Sequence, residues 1–307
     1  MKKLVLCVVF AVLALGVAFG VFAADEQVIT LNYEPATTEA FDTCYWSPGG
    51  YSNLVFSSRL YLDKDLIPDQ GDLAEKWDVS ADEKTYTFYL RKGLTFHDGE
   101  PLTTEDVAWS LKTGLRMGRI LNGAKQSLES LEGGKEYAEG TADDVSGIKI
   151  IDDTTIQLTV KEPNAIFLNG LNACFILPKH LLENEDPATI HQSDFFMEPV
   201  GSGPYKIVQR EPGDFTILEA FDNYYAGKPI IPKVVFRYFE NIVPAFEAGD
   251  LDFEYSYSFD QSLALMDVPA VEVTPIPFAY LRFMAVKVDT APFDDVKVRQ
   301  ALYHAID

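Results

Sequence analysis

His97-Asp98-Gly99-Glu100 is the chain's nearest approach to a metal-binding or acid/base cluster, an imidazole beside two carboxylates within four residues. Asp98-Gly99 is also a tight-turn signal, and a solvated turn accounts for these side chains without catalysis. The other imidazoles, His180, His191 and His304, lie far from His97 and from one another; no two histidines stand three to five residues apart, which argues against a dedicated zinc site. Gly201-Ser202-Gly203 has part of a nucleophile turn, but Pro204 follows where an elbow needs a helix start with free backbone donors, so a strand-entry turn is the better reading. No G-x-S-x-G elbow, H-E-x-x-H pair or P-loop is found. The chain is read as non-enzymatic, with no cofactor and no metal. Binding chemistry remains: an exposed loop rich in Gly, Pro and Ser, from Pro35 to Ser52, is an unusual place for Tyr45, Trp46 and Tyr51.

The elements that must carry such side chains follow from local patterns. Val28–Tyr33 alternates as a half-buried strand does, and Thr85–Arg91 alternates more strongly. Thr103 or Thr104 caps a helix through Lys112, with Glu105 and Asp106 suited to its N-terminus. Ile148–Ile151 and Thr155–Val160 form a hairpin around Asp152-Asp153. Strands are expected from Pro199–Ile207 onward, at Thr216–Ala220, Lys233–Phe239 and Tyr280–Val288, with short helices at Lys179–Glu183 and around Ile242–Ala248. Asn53–Leu62 reads as a helix, Leu73–Trp77 as a structured turn, and the polar stretch Gly118–Asp144 as a surface excursion. The mixture implies an α/β class.

Lys2 and Lys3 precede an apolar run from Leu4 to Phe22 that ends in Val21-Phe22-Ala23, a secretory leader cleaved after Ala23. No second run of about 18 apolar residues follows. Loss of the two lysines leaves 23 basic and 47 acidic side chains, a formal charge of −24. That balance argues against nucleic acid and anionic membranes as partners. Cys7 belongs to the leader. Cys44 and Cys174 would reach an oxidising compartment, where they would either bridge or serve as two small buried apolar residues.

Four blocks then stand in order: Asp72-Leu73-Ala74-Glu75-Lys76-Trp77 with Tyr86–Gly93; Phe96-His97-Asp98-Gly99-Glu100-Pro101-Leu102-Thr103-Thr104-Glu105-Asp106-Val107; Pro199-Val200-Gly201-Ser202-Gly203-Pro204-Tyr205; and Pro292-Phe293-Asp294-Asp295-Val296-Lys297-Val298-Arg299-Gln300-Ala301-Leu302. In them the chain resembles the family 5 extracellular solute-binding proteins, which include periplasmic oligopeptide, dipeptide and nickel binders. The blocks themselves read as scaffold, since turn glycines, helix caps and strand aromatics explain them.

The resemblance implies a two-lobed periplasmic-binding-protein-like fold, type II and class C-like, with the second lobe truncated. Lobe I would comprise residues 24–56 and 169–276, a subdomain would be inserted at 57–168, and lobe II would begin at 277–307. The last block is an early lobe II helix in the family, so the chain is expected to be an N-terminal fragment that binds its solute weakly alone. The implied function is capture of a peptide or peptide-like solute in an interlobe cleft and delivery to an ABC importer permease, outside the cytoplasm, with membrane contact only through the permease. Ligand-binding residues implied by position are Tyr45 and Trp46 after the first strand, Tyr255, Ser256 and Tyr257 after Gly249-Asp250-Leu251-Asp252, and Phe278 and Tyr280 at the crossing to lobe II. For each aromatic the alternative is core packing. Nickel chelates, oligosaccharides and opine-like compounds are other ligands the resemblance allows; an exported hydrolase or a receptor-like module is the rival class.

Overall fold

The computed structural model describes residues 27–32, 52–57, 60–62, 68–117, 122–211, 213–254, 259–269, 271–274 and 285–305. In chain order these form β1 (Val28–Asn32), α1 (Ser52–Val55), β2 (Leu60–Leu62), β3 (Pro68–Gly71), β4 (Ala74–Val79), β5 (Thr85–Leu90), α2 (Thr104–Arg116), α3 (Asn122–Glu129) and α4 (Gly134–Ala138). Then follow β6 (Ile148–Asp152), β7 (Thr155–Thr159), α5 (Phe167–Asn172), α6 (Lys179–Leu182), β8 (Tyr205–Glu211), β9 (Phe215–Ala220), β10 (Lys233–Arg237), α7 (Ile242–Ala248), α8 (Phe259–Leu265) and α9 (Val296–Ala305).

Two four-stranded sheets result, an α/β architecture as the sequence implies. One has the order β1-β10-β9-β8, the other β4-β5-β7-β6, and β2 pairs with β3 apart from both. All strands of the second sheet come from residues 74–159, between the parts of the chain that supply the first. In β5 the alternation buries Tyr86, Phe88 and Leu90 on one face, where they meet Ile156 and Leu158 of β7 in the core. Helix α2 starts where its capping chemistry places it: the Thr103 hydroxyl accepts from the Glu105 N–H, and Asp106 Oδ2 accepts from the Thr103 N–H at 2.9 Å. One hydrophobic core runs through both sheets, from Phe88 and Leu111 to Leu218 and Phe236.

Three expectations need correction. The helix read over Asn53–Leu62 stops at Val55, and Leu60–Leu62 is a strand paired with Pro68–Gly71. Leu73–Trp77 is not a turn: Ala74–Val79 pairs antiparallel with β5 and satisfies its backbone there. The polar stretch after Gly118 carries α3 and α4, and Ala124, Leu128 and Leu131 are fully buried. Their spacing of four and three residues puts one narrow apolar stripe on an otherwise polar segment, enough to dock it. The strand expected at Tyr280–Val288 falls mostly outside the described residues, and 285–287 carry no regular structure. Cys174 is fully buried, its Sγ 3.8 Å from the Gly170 carbonyl oxygen, whereas Cys44 lies outside the described residues. Among the described residues no helix is long and apolar enough to cross a membrane.

A polar hook ties the sheets together. The Tyr225 hydroxyl, beyond β9, donates to the buried carboxylate of Asp72 at 2.7 Å. Arg91 donates from Nε to the Asp72 carbonyl at 2.8 Å and lays its guanidinium 4.8 Å from the centre of the Tyr225 ring. Burial first, and the Asp72 charge second, hold the Tyr225 phenol well above its ordinary range. Tyr225→Phe removes a donor from a buried carboxylate, and the expected loss is about 2 kcal/mol of unfolding free energy. Urea denaturation of both proteins measures it; a loss under about 0.5 kcal/mol would mean that the hook contributes only contact area.

Candidate ligand-binding site

The site begins where parallel strands end together. β1 runs parallel to β10 in the register Val28↔Lys233 to Asn32↔Arg237. After β10 the chain forms α7, started by the Asn241 side chain accepting from the Val243 N–H at 3.3 Å and stopped by Gly249 at φ 74°. It then returns along the other edge of β1, where Leu31 and Phe253 form a parallel bridge. The Thr30 N–H donates to Asp252 Oδ2 at 2.7 Å, the Asp252 N–H to the Thr30 carbonyl at 2.9 Å, and the Asn32 N–H to the Phe253 carbonyl at 3.2 Å. Asn32, Arg237 and Glu254 therefore stand at one end of three parallel segments, the carboxyl end, outside which open α/β sheets bind ligands.

Two side chains there were missed by the sequence reading. Asn32 Oδ1 accepts from the Phe239 N–H at 2.9 Å, which turns its amide NH₂ toward the carboxyl of Glu254, to which the Asn32 side chain is hydrogen-bonded. Burial raises the Glu254 carboxyl above the ordinary carboxylate range, and the Asn32 bond opposes that shift. Glu254 Oε2 is out of solvent contact and has no hydrogen-bond partner among the described residues. The one sequence signal was an acid within the alternating run Leu251-Asp252-Phe253-Glu254-Tyr255, where a solvent-facing residue was the ordinary reading.

Tyr45, Trp46, Tyr255, Ser256, Tyr257, Phe278 and Tyr280 all lie outside the described residues. The structure does bring together the two points from which the first five depart. The stretch that carries Tyr45 and Trp46 follows Asn32, and Tyr255 follows Glu254, across one bridge from each other.

The groups that suggested catalysis serve the scaffold. The His97 N–H donates to the Gly201 carbonyl at 2.8 Å, the Gly201 N–H donates to His97 Nδ1 at 3.2 Å, and His97 Nε2–H donates to the Gly203 carbonyl at 3.0 Å. Both ring nitrogens are thus committed to backbone, the neutral tautomer is selected, and burial lowers the pKa to about 4. Ser202 is buried beside this clamp, and no ring nitrogen of His97 remains to act as its base. Asp98 Oδ1 accepts from the Glu100 N–H at 3.1 Å, closing the turn, while Asp98 Oδ2 lies 2.8 Å from His180 Nε2. No group of three or more His, Cys, Asp or Glu that could hold a metal ion occurs among the described residues.

The family model of bacterial extracellular solute-binding proteins, family 5 (Middle), matches residues 70–307. The dipeptide-binding protein of Escherichia coli strain K12 is 32% identical over 93% of this chain and 55% of its own length. Among solved structures, NikZ from Campylobacter jejuni in complex with Ni(L-His) superposes with a TM-score of 0.71 at 23% identity, covering 92% of this chain and 54% of that one. A periplasmic oligopeptide-binding protein from Borrelia burgdorferi gives a TM-score of 0.70 at 25% identity, covering 92% and 57%. The chain spans about half the length of the curated relatives it matches.

Proposed function

The chain belongs to the bacterial extracellular solute-binding proteins, family 5, and from that premise we propose that it captures a peptide or peptide-like solute outside the cytoplasm and hands it to an ABC importer permease. The observation that carries this is the common carboxyl end of β1, β10 and Leu251–Glu254, an end of a parallel arrangement suited to holding a small ligand. Peptide is preferred because the dipeptide-binding relative aligns over 93% of the chain. Tyr45, Trp46, Tyr255, Ser256, Tyr257, Phe278 and Tyr280 supply the walls of the cleft in this reading. Lobe I takes residues 24–56 and 169–276, the insert 57–168, and lobe II starts at 277. The drawing of one sheet from 28–32 and 205–237, and of the other from 74–159, supports that division. Export rests on the leader that ends at Ala23.

Native mass spectrometry of the full-length protein, purified from its own exporting cell, tests the reading. A mass in the short-peptide range, released on unfolding, is expected. A co-purified nickel chelate or saccharide would overturn the peptide assignment, and turnover of the released compound by the purified protein would overturn solute capture itself.

A further inference from the structure

We propose that the Glu254 carboxylate, held in place by Asn32, is the subsite for a cationic side chain of the bound peptide, a lysine ammonium or an arginine guanidinium. The inference rests on the solute-capture reading and adds a preference that the family assignment does not contain. Three features carry it. Glu254 directly follows Phe253, which bridges Leu31 in parallel, and its carboxyl is hydrogen-bonded to the side chain of Asn32, the last residue of β1, at the carboxyl end of the parallel segments. Asn32 is locked by the Phe239 N–H, leaving its amide one role, to orient Glu254. One carboxyl oxygen, Oε2, is removed from water with no donor among the described residues, and no basic side chain is among the groups that shift its titration.

A buried acceptor left without a donor is uncommon in a folded protein, and a binding role is one of the few reasons to keep it. The terminal carboxyl torsion is soft, so either oxygen can turn toward a solute while the other keeps the Asn32 bond. A nitrogen cation suits this acceptor best, since a charge-assisted bond is about twice as strong as a neutral one. The formal charge of −22 on the chain adds a field that draws cations inward.

The test is calorimetric titration of the full-length protein, at physiological salt, with trilysine and with trialanine. Wild type is expected to bind trilysine at least about tenfold more tightly, a difference of about 1.4 kcal/mol. Glu254→Gln is expected to lose most of that preference while trialanine affinity stays within about twofold, because the amide keeps the shape but not the charge. Glu247→Gln, on the exposed side of α7, controls for the loss of one negative charge and is expected to change neither affinity. A preference unchanged in Glu254→Gln, or lost equally in Glu247→Gln, would overturn the subsite alone. Wild type that binds neither peptide would overturn the peptide reading together with it. If Glu254→Gln does not fold, the carboxyl carbon resonance of Glu254 in wild type decides: it should move on addition of trilysine and not of trialanine, and an unmoved signal overturns the proposal.

Discussion

Gly201→Ala is expected to lose about 4 kcal/mol or more of stability, enough to remove most of the folded protein. A Cβ at Gly201 would overlap the Val55 carbonyl oxygen and lie 2.7 Å from the Val55 carbonyl carbon, atoms of the backbone that no rotamer change can move. Neither side can retreat. The Gly203 N–H donates to the Val55 carbonyl at 2.8 Å, Ser57 Oγ donates to the Ser202 carbonyl at 3.0 Å, and Gly201 exchanges both backbone hydrogen bonds with His97. Ordinary overpacking in a core costs about 1–3 kcal/mol because side chains yield, and here backbone would have to. Gly213→Ala provides the comparison: its φ is 83° and a Cβ there meets nothing within 4 Å, so only the left-handed conformation is penalised, by about 1–2 kcal/mol. Soluble yield and urea denaturation followed by circular dichroism read both variants. A Gly201→Ala protein within about 1 kcal/mol of wild type would show that the close approach of this turn to α1 is not needed.

Acid is expected to weaken the same seam. His97 titrates near 6.5 when unfolded and at about 4 when folded, since burial disfavours the imidazolium. Between those values the unfolded chain binds more protons, so stability falls as pH falls; the contribution is complete above about 6.5 and gone below about 4. Its full size is about 3 kcal/mol. Glu254, whose pKa is raised, acts with the opposite sign, gaining stability as pH falls. The comparison that isolates His97 is therefore wild type against His97→Gln across pH 4 to 6.5. The variant should be less stable at neutral pH and lose less on acidification. Parallel curves for the two proteins would mean that His97 is already charged in the folded state, against the tautomer its two backbone bonds require.

Alternation in Thr85–Leu90, the Thr103/Asp106 cap, the turn at Asp152 and the spacing of Ile242–Ala248 are written within a few residues, and each element lies where those signals put it. Periodicity, capping and turn chemistry act over single turns of chain, so sequence determines them. The four ordered blocks likewise determined the family. Elements whose stability is borrowed were not legible. α3 shows two apolar residues in a polar stretch and is a helix because Ala124 and Leu128 find a core; β4 is a strand because β5 offers it a ladder.

The candidate site belongs to this second kind. That Glu254 faces Asn32 depends on Leu251–Glu254 returning beside β1, across a separation of 222 residues between Thr30 and Asp252. Parallel pairing needs a crossover and leaves no trace in either partner's own pattern. Glu254 thus reads as one acid among 47 until the tertiary structure takes one of its carboxyl oxygens out of water and sets the residue at the end of three parallel segments.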